Sequence, residues 1–164
     1  MIMSCCSLFS FAEEKTEKAN NYPFVLVHGL GGWGQYDAIT ETAPYWGSGA
    51  GMSEGNGDFV KLLRDNGYEA YAVSVGPVNS AWDRVCEIYA QLTGTVVDYG
   101  AAHSKAHNHE RYGRSFEGKP LMGRVWSVDE PINLIGHSFG GPASRLFASL
   151  MAYGDEAEIA ATGE

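Results

Sequence analysis

The chain has 164 residues, of which 45% are hydrophobic, so it is long enough to bury a core and form one compact domain. Its formal net charge of −9 argues against a nucleic-acid partner, because phosphate binding requires clustered lysine and arginine. The three cysteines include the adjacent pair Cys5 and Cys6 and do not indicate a disulfide framework.

The first 21 residues differ in character from the rest. Residues 1–11 are weakly apolar, Ser10-Phe11-Ala12 has the small-x-small form of a cleavage site, and residues 13–21 are polar and charged. This resembles the end of a secretory signal peptide and predicts a secreted, extracellular protein. Because a basic start is missing, a truncated leader and a plain disordered arm remain as alternatives. No apolar run approaches the ~20 residues of a membrane span, so no transmembrane segment is expected.

The remaining residues alternate between strand and helix patterns. Apolar runs predict buried strands at 24–27, 71–75 and 132–135, and helical spacing predicts helices from Asp58, from Ser80 and after residue 140. This alternation predicts an α/β fold with a mostly parallel sheet and helices on both faces. Cys86 lies on the predicted apolar stripe of the second helix and is expected to be an inert thiol. Gly154 is expected to end the last helix, and the acidic remainder to fray.

Residues 93–125 have no clear period and hold three of the five histidines. They are too long for a simple connection, which is typical of a functional insert. Imidazole and carboxylate groups suit zinc. Spacing alone favours His103 and His107 as one helix face, with Asp83, Asp98, His109 and Glu110 as nearby candidates. The alternative is a polar, solvated loop without a metal.

The pentapeptide Gly136-His137-Ser138-Phe139-Gly140 lies between the last predicted strand and the last predicted helix. In that setting Gly-x-Ser-x-Gly is the nucleophile elbow of α/β-hydrolases, so the sequence predicts this fold and serine esterase chemistry. Ser138 is the candidate nucleophile. The alternative is a tight serine turn without chemistry.

Hydrolysis by a serine also needs donors for the oxyanion, usually backbone amides. The amide of Phe139 follows the serine, and the amide of Leu30 lies in the glycine-rich loop after the first strand, so both are candidates. An ordinary turn is the alternative for that loop, in which His28 is interpreted as an anchoring residue. In this fold the acid and the histidine base follow the serine in the chain, but no histidine follows Ser138. The catalytic aspartate and histidine are therefore expected outside these 164 residues.

Several long segments together carry a resemblance to a known family. They are Tyr22-Pro23-Phe24-Val25-Leu26, His28-Gly29, Gly32-Trp33-Gly34, Tyr45-Trp46-Gly47, Asp65-Asn66-Gly67-Tyr68, Val75-Gly76-Pro77, Trp82-Asp83-Arg84, Cys86-Glu87, Tyr89-Ala90-Gln91-Leu92 and Val97-Asp98-Tyr99-Gly100-Ala101-Ala102-His103. With them, residues 22 to about 153 resemble the N-terminal part of the thermoalkaliphilic Bacillus and Geobacillus lipases, with staphylococcal lipases as more distant relatives.

The resemblance implies a secreted triacylglycerol lipase that acts on lipid esters at an interface. It implies a structural zinc ion held by Asp83 and by the histidines 20 and 26 residues later, His103 and His109, which removes His107 from the ligand set. It places a second aspartate ligand, the catalytic aspartate and histidine, a possible calcium site and a helical lid outside this chain. Residues 22–164 would then be the N-terminal part of the lipase domain, ending after the elbow helix, and this fragment alone is expected to be inactive.

Two segments depart from that family's pattern. Leu30 stands where the relatives usually carry an aromatic residue. The elbow begins with Gly136 rather than alanine and has Phe139 rather than glutamine after the serine. Both oxyanion amides survive these changes, but the acyl pocket could differ, so chain-length preference stays open. The alternatives are a short-chain esterase, an acyltransferase, or a non-catalytic zinc-binding fragment.

Overall fold

A computed structural model describes residues 20–49 and 57–163, so nearly all of the expected leader at 1–21 lies outside the described residues. The strands in this part are β1 (Phe24–Val27), β2 (Ala70–Val73), β3 (Val96–Asp98), β4 (Tyr112–Ser115) and β5 (Asn133–Gly136). The α-helices are α1 (Phe59–Asp65), α2 (Ala81–Thr93), α3 (Ala101–His107), α4 (Gly140–Tyr153) and α5 (Glu156–Thr162). A 3-10 turn at Ala38–Glu41 and a π-helical turn at Tyr45–Gly49 connect β1 to α1. None of the helices described in these two ranges is long and apolar enough to cross a membrane.

The central sheet has the strand order β2-β1-β5, and both pairs of neighbours are parallel. Val27 at the end of β1 is in register with Val73 on one side and Gly136 on the other. The carboxyl ends of the strands therefore meet at one edge, and the loop after β1 lies beside the pentapeptide after β5. The three predicted strands are confirmed, although β5 continues into Gly136 and β2 ends at Val73 rather than at residue 75.

Helices cover both faces of this sheet, as the alternation predicted. Alternate side chains of a strand point to opposite faces, so Val25 and Val27 face one side and Leu26 the other. The first side packs against α2 and α4. The second side packs against α1 and against Tyr45 and Trp46. Burying each of these aliphatic side chains contributes about 1.5–3 kcal/mol, which makes the sheet a firm base for the loops at its edge.

The segment at 93–125 has a structure of its own, with α3 between the antiparallel strands β3 and β4. Arg111 donates two hydrogen bonds to the carboxylate of Asp98, at 2.8 and 2.7 Å, and closes this unit. That ion pair lowers the pKa of Asp98. Three elements of three to seven residues are too short to show a period, which is why the sequence pattern did not reveal them.

The expectation that the acidic remainder after Gly154 frays is wrong. Residues Glu156–Thr162 form α5, and Asp155 caps it by accepting hydrogen bonds from the amides of Ala157 and Glu158, both at 3.0 Å. An aspartate at the N-cap satisfies amides that have no partner within the helix, and negative charge is favourable there. The capping residue Asp155 is thus a local sequence signal for this helix.

Two adjacent glycines at the start of α4 give a test of how closely the elbow packs on β1. A Cβ at Gly140 would lie 2.0 Å from the carbonyl oxygen of Val27, whereas a Cβ at Gly141 would meet nothing within 4 Å. We expect Gly140→Ala to lower the free energy of unfolding by about 3 kcal/mol, because rigid backbone must move. Gly141→Ala, the matched control, should be neutral or stabilising by up to ~1 kcal/mol. Urea denaturation measures both, and equal stabilities would contradict the packing described here.

Candidate active site and metal site

Ser138 has the backbone conformation of a strained elbow. Its φ of 53° lies in the left-handed region that non-glycine residues rarely adopt. Close packing holds it there, because a Cβ at Gly136 would come within 2.5 Å of the backbone of Gly140. The helix therefore starts closer to the strand than an alanine at 136 would allow. The serine stands at the carboxyl edge of the sheet, immediately before α4.

The loop after β1 passes directly over the serine. A Cβ at Gly29 would be 2.9 Å from the Cβ of Ser138, so only glycine fits at this crossing. Within residues 20–49 and 57–163, the amide N–H groups of Leu30 and Phe139 donate no hydrogen bond. The two amides predicted as oxyanion donors are thus both unpaired among the described residues, and each follows a residue of this crossing, Gly29 or Ser138.

The peptide that carries the Leu30 amide is held in place by its other end. The carbonyl oxygen of Gly29 accepts hydrogen bonds from Nδ1 of His28 at 2.9 Å, from the amide of Gly32 at 3.2 Å and from Arg84 at 3.3 Å. A peptide unit is planar, with C=O and N–H pointing in opposite directions. Fixing the oxygen of Gly29 therefore also fixes the direction of the Leu30 N–H.

His28 anchors this loop, as the sequence predicted. It is fully buried, and its Nε2 accepts the amide N–H of Val75 at 3.2 Å, so the ring proton must lie on Nδ1. Burial lowers the pKa of His28, which keeps the ring neutral. One ring nitrogen bonds to Gly29 and the other to Val75, so neither is available to the serine. The hydroxyl of Ser138 forms no hydrogen bond with any described residue. His28 is therefore not the base for this serine.

Tyr45 connects the loop to the elbow. Its hydroxyl accepts the amide N–H of Gly29 at 2.9 Å and lies 2.6 Å from Nδ1 of His137, the residue before the serine. A hydroxyl has one proton and two lone pairs, so it can accept from Gly29 and donate to His137 together. The side chain of Tyr45 thereby sets the distance between the loop after β1 and the elbow.

Arg84 is the most important residue that the sequence analysis missed. It is completely buried and donates hydrogen bonds to the carbonyls of His28 and Pro77, both at 2.9 Å, in addition to Gly29. Its guanidinium lies 4.9 Å from the ring centroid of Phe139. Burial lowers the pKa of Arg84, against an opposing effect of the nearby Glu87. An arginine inside an amphipathic helix was the available signal.

The buried face of α2 agrees only in part with the apolar stripe that spacing predicts, which consists of Trp82, Val85, Cys86, Tyr89 and Ala90. Val85 and Ala90 are buried. Tyr89 is exposed, whereas Gln91 and Glu87 are buried because they bind loop backbone. Gln91 pairs with both the amide and the carbonyl of Ser74, at 2.8 and 3.1 Å. Cys86 is half-buried, and burial together with nearby carboxylates raises the pKa of its thiol to about 12, which fits the predicted inert thiol.

Asp83, His103 and His109 form a compact cluster on the other side of α2. One ligand atom from each lies within 4.8 Å of the others. Oδ1 of Asp83 is 3.2 Å from Nε2 of His103 and 3.9 Å from Nε2 of His109. It nevertheless accepts no hydrogen bond from any described residue, although it is buried. A buried carboxylate oxygen close to two imidazole nitrogens but bonded to neither fits a shared cation.

The contacts of both histidines leave Nε2 directed toward Asp83. Nδ1 of His109 donates to the carbonyl of Glu110 at 2.8 Å, which leaves the Nε2 lone pair free. His103 stacks on Trp82 at 4.9 Å, and burial lowers its pKa. His107 lies near His103, with ring centroids 4.3 Å apart, but is not part of the cluster. The structure thus groups the three residues that the resemblance implied and not the pair that spacing favoured.

Comparison with known proteins assigns the chain to a family. Residues 20–163 match the family described as "Lipase-like, C-terminal domain". The chain belongs to this family. It is 41% identical over 142 residues to a lipase of Staphylococcus hyicus and 37% identical over 151 residues to a lipase of Staphylococcus epidermidis. These matches cover 86% and 90% of the chain but only 20% of each relative, so the chain spans about a fifth of their length.

Solved structures of similar proteins share the fold. The crystal structure of the Staphylococcus hyicus lipase superposes with a TM-score of 0.74 at 40% identity, covering 88% of this chain and 35% of that one. EstA from Clostridium botulinum gives 0.73 at 42% identity, covering 85% and 30%. The resemblance to staphylococcal lipases is confirmed at the level of the family.

The role of Arg84 can be tested through stability. Arg84→Met removes the donor of three loop carbonyls and leaves some of them buried without a partner, so we expect a loss of about 2–4 kcal/mol in the free energy of unfolding. Arg145→Met removes an exposed arginine of α4 and should change it by less than ~0.5 kcal/mol. Chemical denaturation compares the two. A similar stability for both variants would show that Arg84 does not hold the loop.

Proposed function

We propose that this chain carries the nucleophile and the oxyanion donors of a serine carboxylic ester hydrolase with an α/β-hydrolase fold. One observation carries the proposal. Ser138 is held at positive φ against Gly29, and the next residue after each of them, Phe139 and Leu30, has an amide that donates no hydrogen bond to any described residue. Membership of a lipase family supports the same chemistry. A tight serine turn without catalytic function would not explain why the amides of Leu30 and Phe139 are both unpaired among the described residues.

In the proposed reaction the Ser138 hydroxyl attacks the ester carbonyl, and the carbonyl oxygen gains negative charge. The amides of Leu30 and Phe139 donate to that oxygen, which stabilises the tetrahedral intermediate. Three donors to the carbonyl oxygen of Gly29 fix the Leu30 peptide before substrate binds, so this oxyanion donor is preorganised. The general base and its orienting carboxylate are proposed to come from residues outside these 164, since no described histidine contacts the serine. By the same reasoning, the 164 residues alone are expected to be inactive.

Ser138→Ala in the full-length protein tests this proposal. We expect hydrolysis of a p-nitrophenyl ester to fall by at least about 10³-fold, with no covalent labelling by a fluorophosphonate. Ser149→Ala, which changes an exposed serine of α4, is the matched control and should retain full activity and labelling. Undiminished turnover by Ser138→Ala would refute the assignment of the nucleophile.

Triacylglycerol is the proposed substrate class, as the resemblance to Bacillus and Geobacillus lipases implies. Leu30 is 67% exposed and Val78 is 78% exposed, and the amide of Gly31 bonds to the carbonyl of Pro77, so the two apolar side chains belong to adjoining loops. An apolar rim near the serine suits a long acyl chain. A short-chain esterase or an acyltransferase is the second candidate, because Leu30 and Phe139 replace the usual residues. Comparing rates on emulsified long-chain triglyceride and on a dissolved short-chain ester separates them.

We also propose that Asp83, His103 and His109 hold a structural zinc ion. Bound there, zinc would attach the unit of β3, α3 and β4 to the first turn of α2. A catalytic role is not needed, because the elbow supplies the nucleophile. A fourth ligand and any calcium site are proposed to come from residues outside these 164. The leader pattern at 1–21 supports a secreted protein, with 22–164 as part of the lipase domain.

Zinc content tests the ligand set. We expect Asp83→Ala and His103→Ala to lower the zinc bound per molecule of the full-length protein from about one to near zero, because each removes one of few ligands. His107→Ala removes a neighbouring imidazole outside the cluster and should leave the zinc content unchanged. Metal analysis after exhaustive dialysis gives the stoichiometry. Unchanged zinc in the first two variants would mean that the site is misassigned.

A further inference from the structure

The helix α3, which carries His103, has no cap from its own segment. Its N-cap residue is Gly100, which has no side chain to accept the first amides of the helix. Glu158 of α5 takes that role from 55 residues along the chain. Its Oε1 accepts the amide N–H of His103 at 2.7 Å, and its Oε2 accepts that of Ala102 at 3.0 Å. Both oxygens of this carboxylate are therefore used by α3.

The backbone at residue 100 is shaped to admit this carboxylate. Gly100 has a φ of 93°, and a Cβ there would lie 2.3 Å from Oε1 of Glu158. Any other residue would be strained and would displace the glutamate. The amide of Gly100 is itself held by Asp98, at 2.9 Å, so the start of α3 is fixed from two sides. The contact is therefore built into the fold and is not a chance meeting of surface groups.

The capped amide belongs to a residue of the metal cluster. His103 presents its backbone N–H to Glu158 and its Nε2 to Asp83, at 3.2 Å. A bidentate carboxylate fixes the position and axis of the first turn of α3, and with them the place from which the imidazole projects. Hydrogen bonds between a carboxylate and amides are among the stronger ones in proteins. Because both its oxygens accept amide protons, Glu158 is a partner of the ligand's backbone rather than a fourth ligand.

We infer that Glu158 is a positioning residue for the metal site, and that α5 and the site are thereby coupled. This inference rests on the proposed zinc site. Zinc held by His103 stabilises the contact between α3 and α5, and loss of that contact weakens zinc binding. The helix α5 thus has a function, although its sequence looks like an acidic surface segment.

Zinc affinity of the full-length protein tests this coupling. Glu158→Gln keeps the length of the side chain but removes the charge and one acceptor oxygen, and it should weaken zinc binding by about tenfold in competition with a chromophoric chelator. Glu156→Gln makes the same charge change on the same helix, at an exposed position, and should leave the affinity unchanged. Glu158→Asp keeps the charge but is too short to reach both amides, so it should also lose affinity; it carries the test if Glu158→Gln does not fold.

Hydrogen exchange distinguishes positioning from general destabilisation. In Glu158→Gln we expect the amides of residues 102 and 103 to lose protection while those of β1 keep theirs, and zinc should increase protection in α5 of the unsubstituted protein. Equal affinities for Glu158→Gln and Glu156→Gln would overturn the inference and leave the zinc site standing. A uniform loss of protection would also overturn it. If the unsubstituted protein binds no zinc, the site and the coupling both fail, whereas the nucleophile at Ser138 is unaffected.

Discussion

The buried guanidinium of Arg84 is the interaction on which the arrangement of the edge loops depends. It donates to carbonyls of His28, Gly29 and Pro77, so it joins the loop after β1 to the loop after β2. Burying a charge is costly unless it is well hydrogen-bonded. Here carbonyl oxygens and the ring of Phe139 replace water around the terminal nitrogens, whereas Nε has no partner among the described residues. The peptide between Gly29 and Leu30 is planar, so fixing the oxygen of Gly29 also fixes the direction of the Leu30 N–H. Arg84 therefore helps to orient a proposed oxyanion donor.

Adjacent residues of α2 serve two different sites. Successive helical side chains point about 100° apart, so Asp83 can face the histidine cluster while Arg84 faces the edge of the sheet. Both lie in the first turn, which is where a helix most needs external partners. That turn is held by the hydroxyl of Ser80, which accepts the Asp83 amide at 3.1 Å, and by Trp82, whose indole donates to the carbonyl of Tyr99 at 2.7 Å.

Local patterns predicted what local forces determine. The apolar run of β1 and the pentapeptide at the elbow specify their own conformations, and both were predicted correctly. The buried face of α2 was predicted only in part. Val85 and Ala90 are buried as expected, but Arg84 is buried because it binds loop carbonyls and not because it is hydrophobic. Spacing also failed at the candidate metal cluster. It favoured His103 with His107, but Asn108 turns the chain at a φ of 54° and returns His109 toward Asp83. Only the family resemblance contained that information.

The dependence on distant contacts also explains why the sequence pattern did not predict α3 and α5. Isolated seven-residue helices are marginal in water, so neither has a strong signal of its own. The helix α3 gains stability from α5, since the carboxylate of Glu158 supplies the cap that Gly100 cannot, whereas α5 is capped by its own Asp155. A ligand that binds only the folded form adds its binding free energy to that of the folded form. Zinc held by His103 would therefore stabilise a chain of contacts that runs from α5 through α3 to Asp83. That chain ends one residue from Arg84, so the metal would strengthen the same helical turn that holds the loop above Ser138.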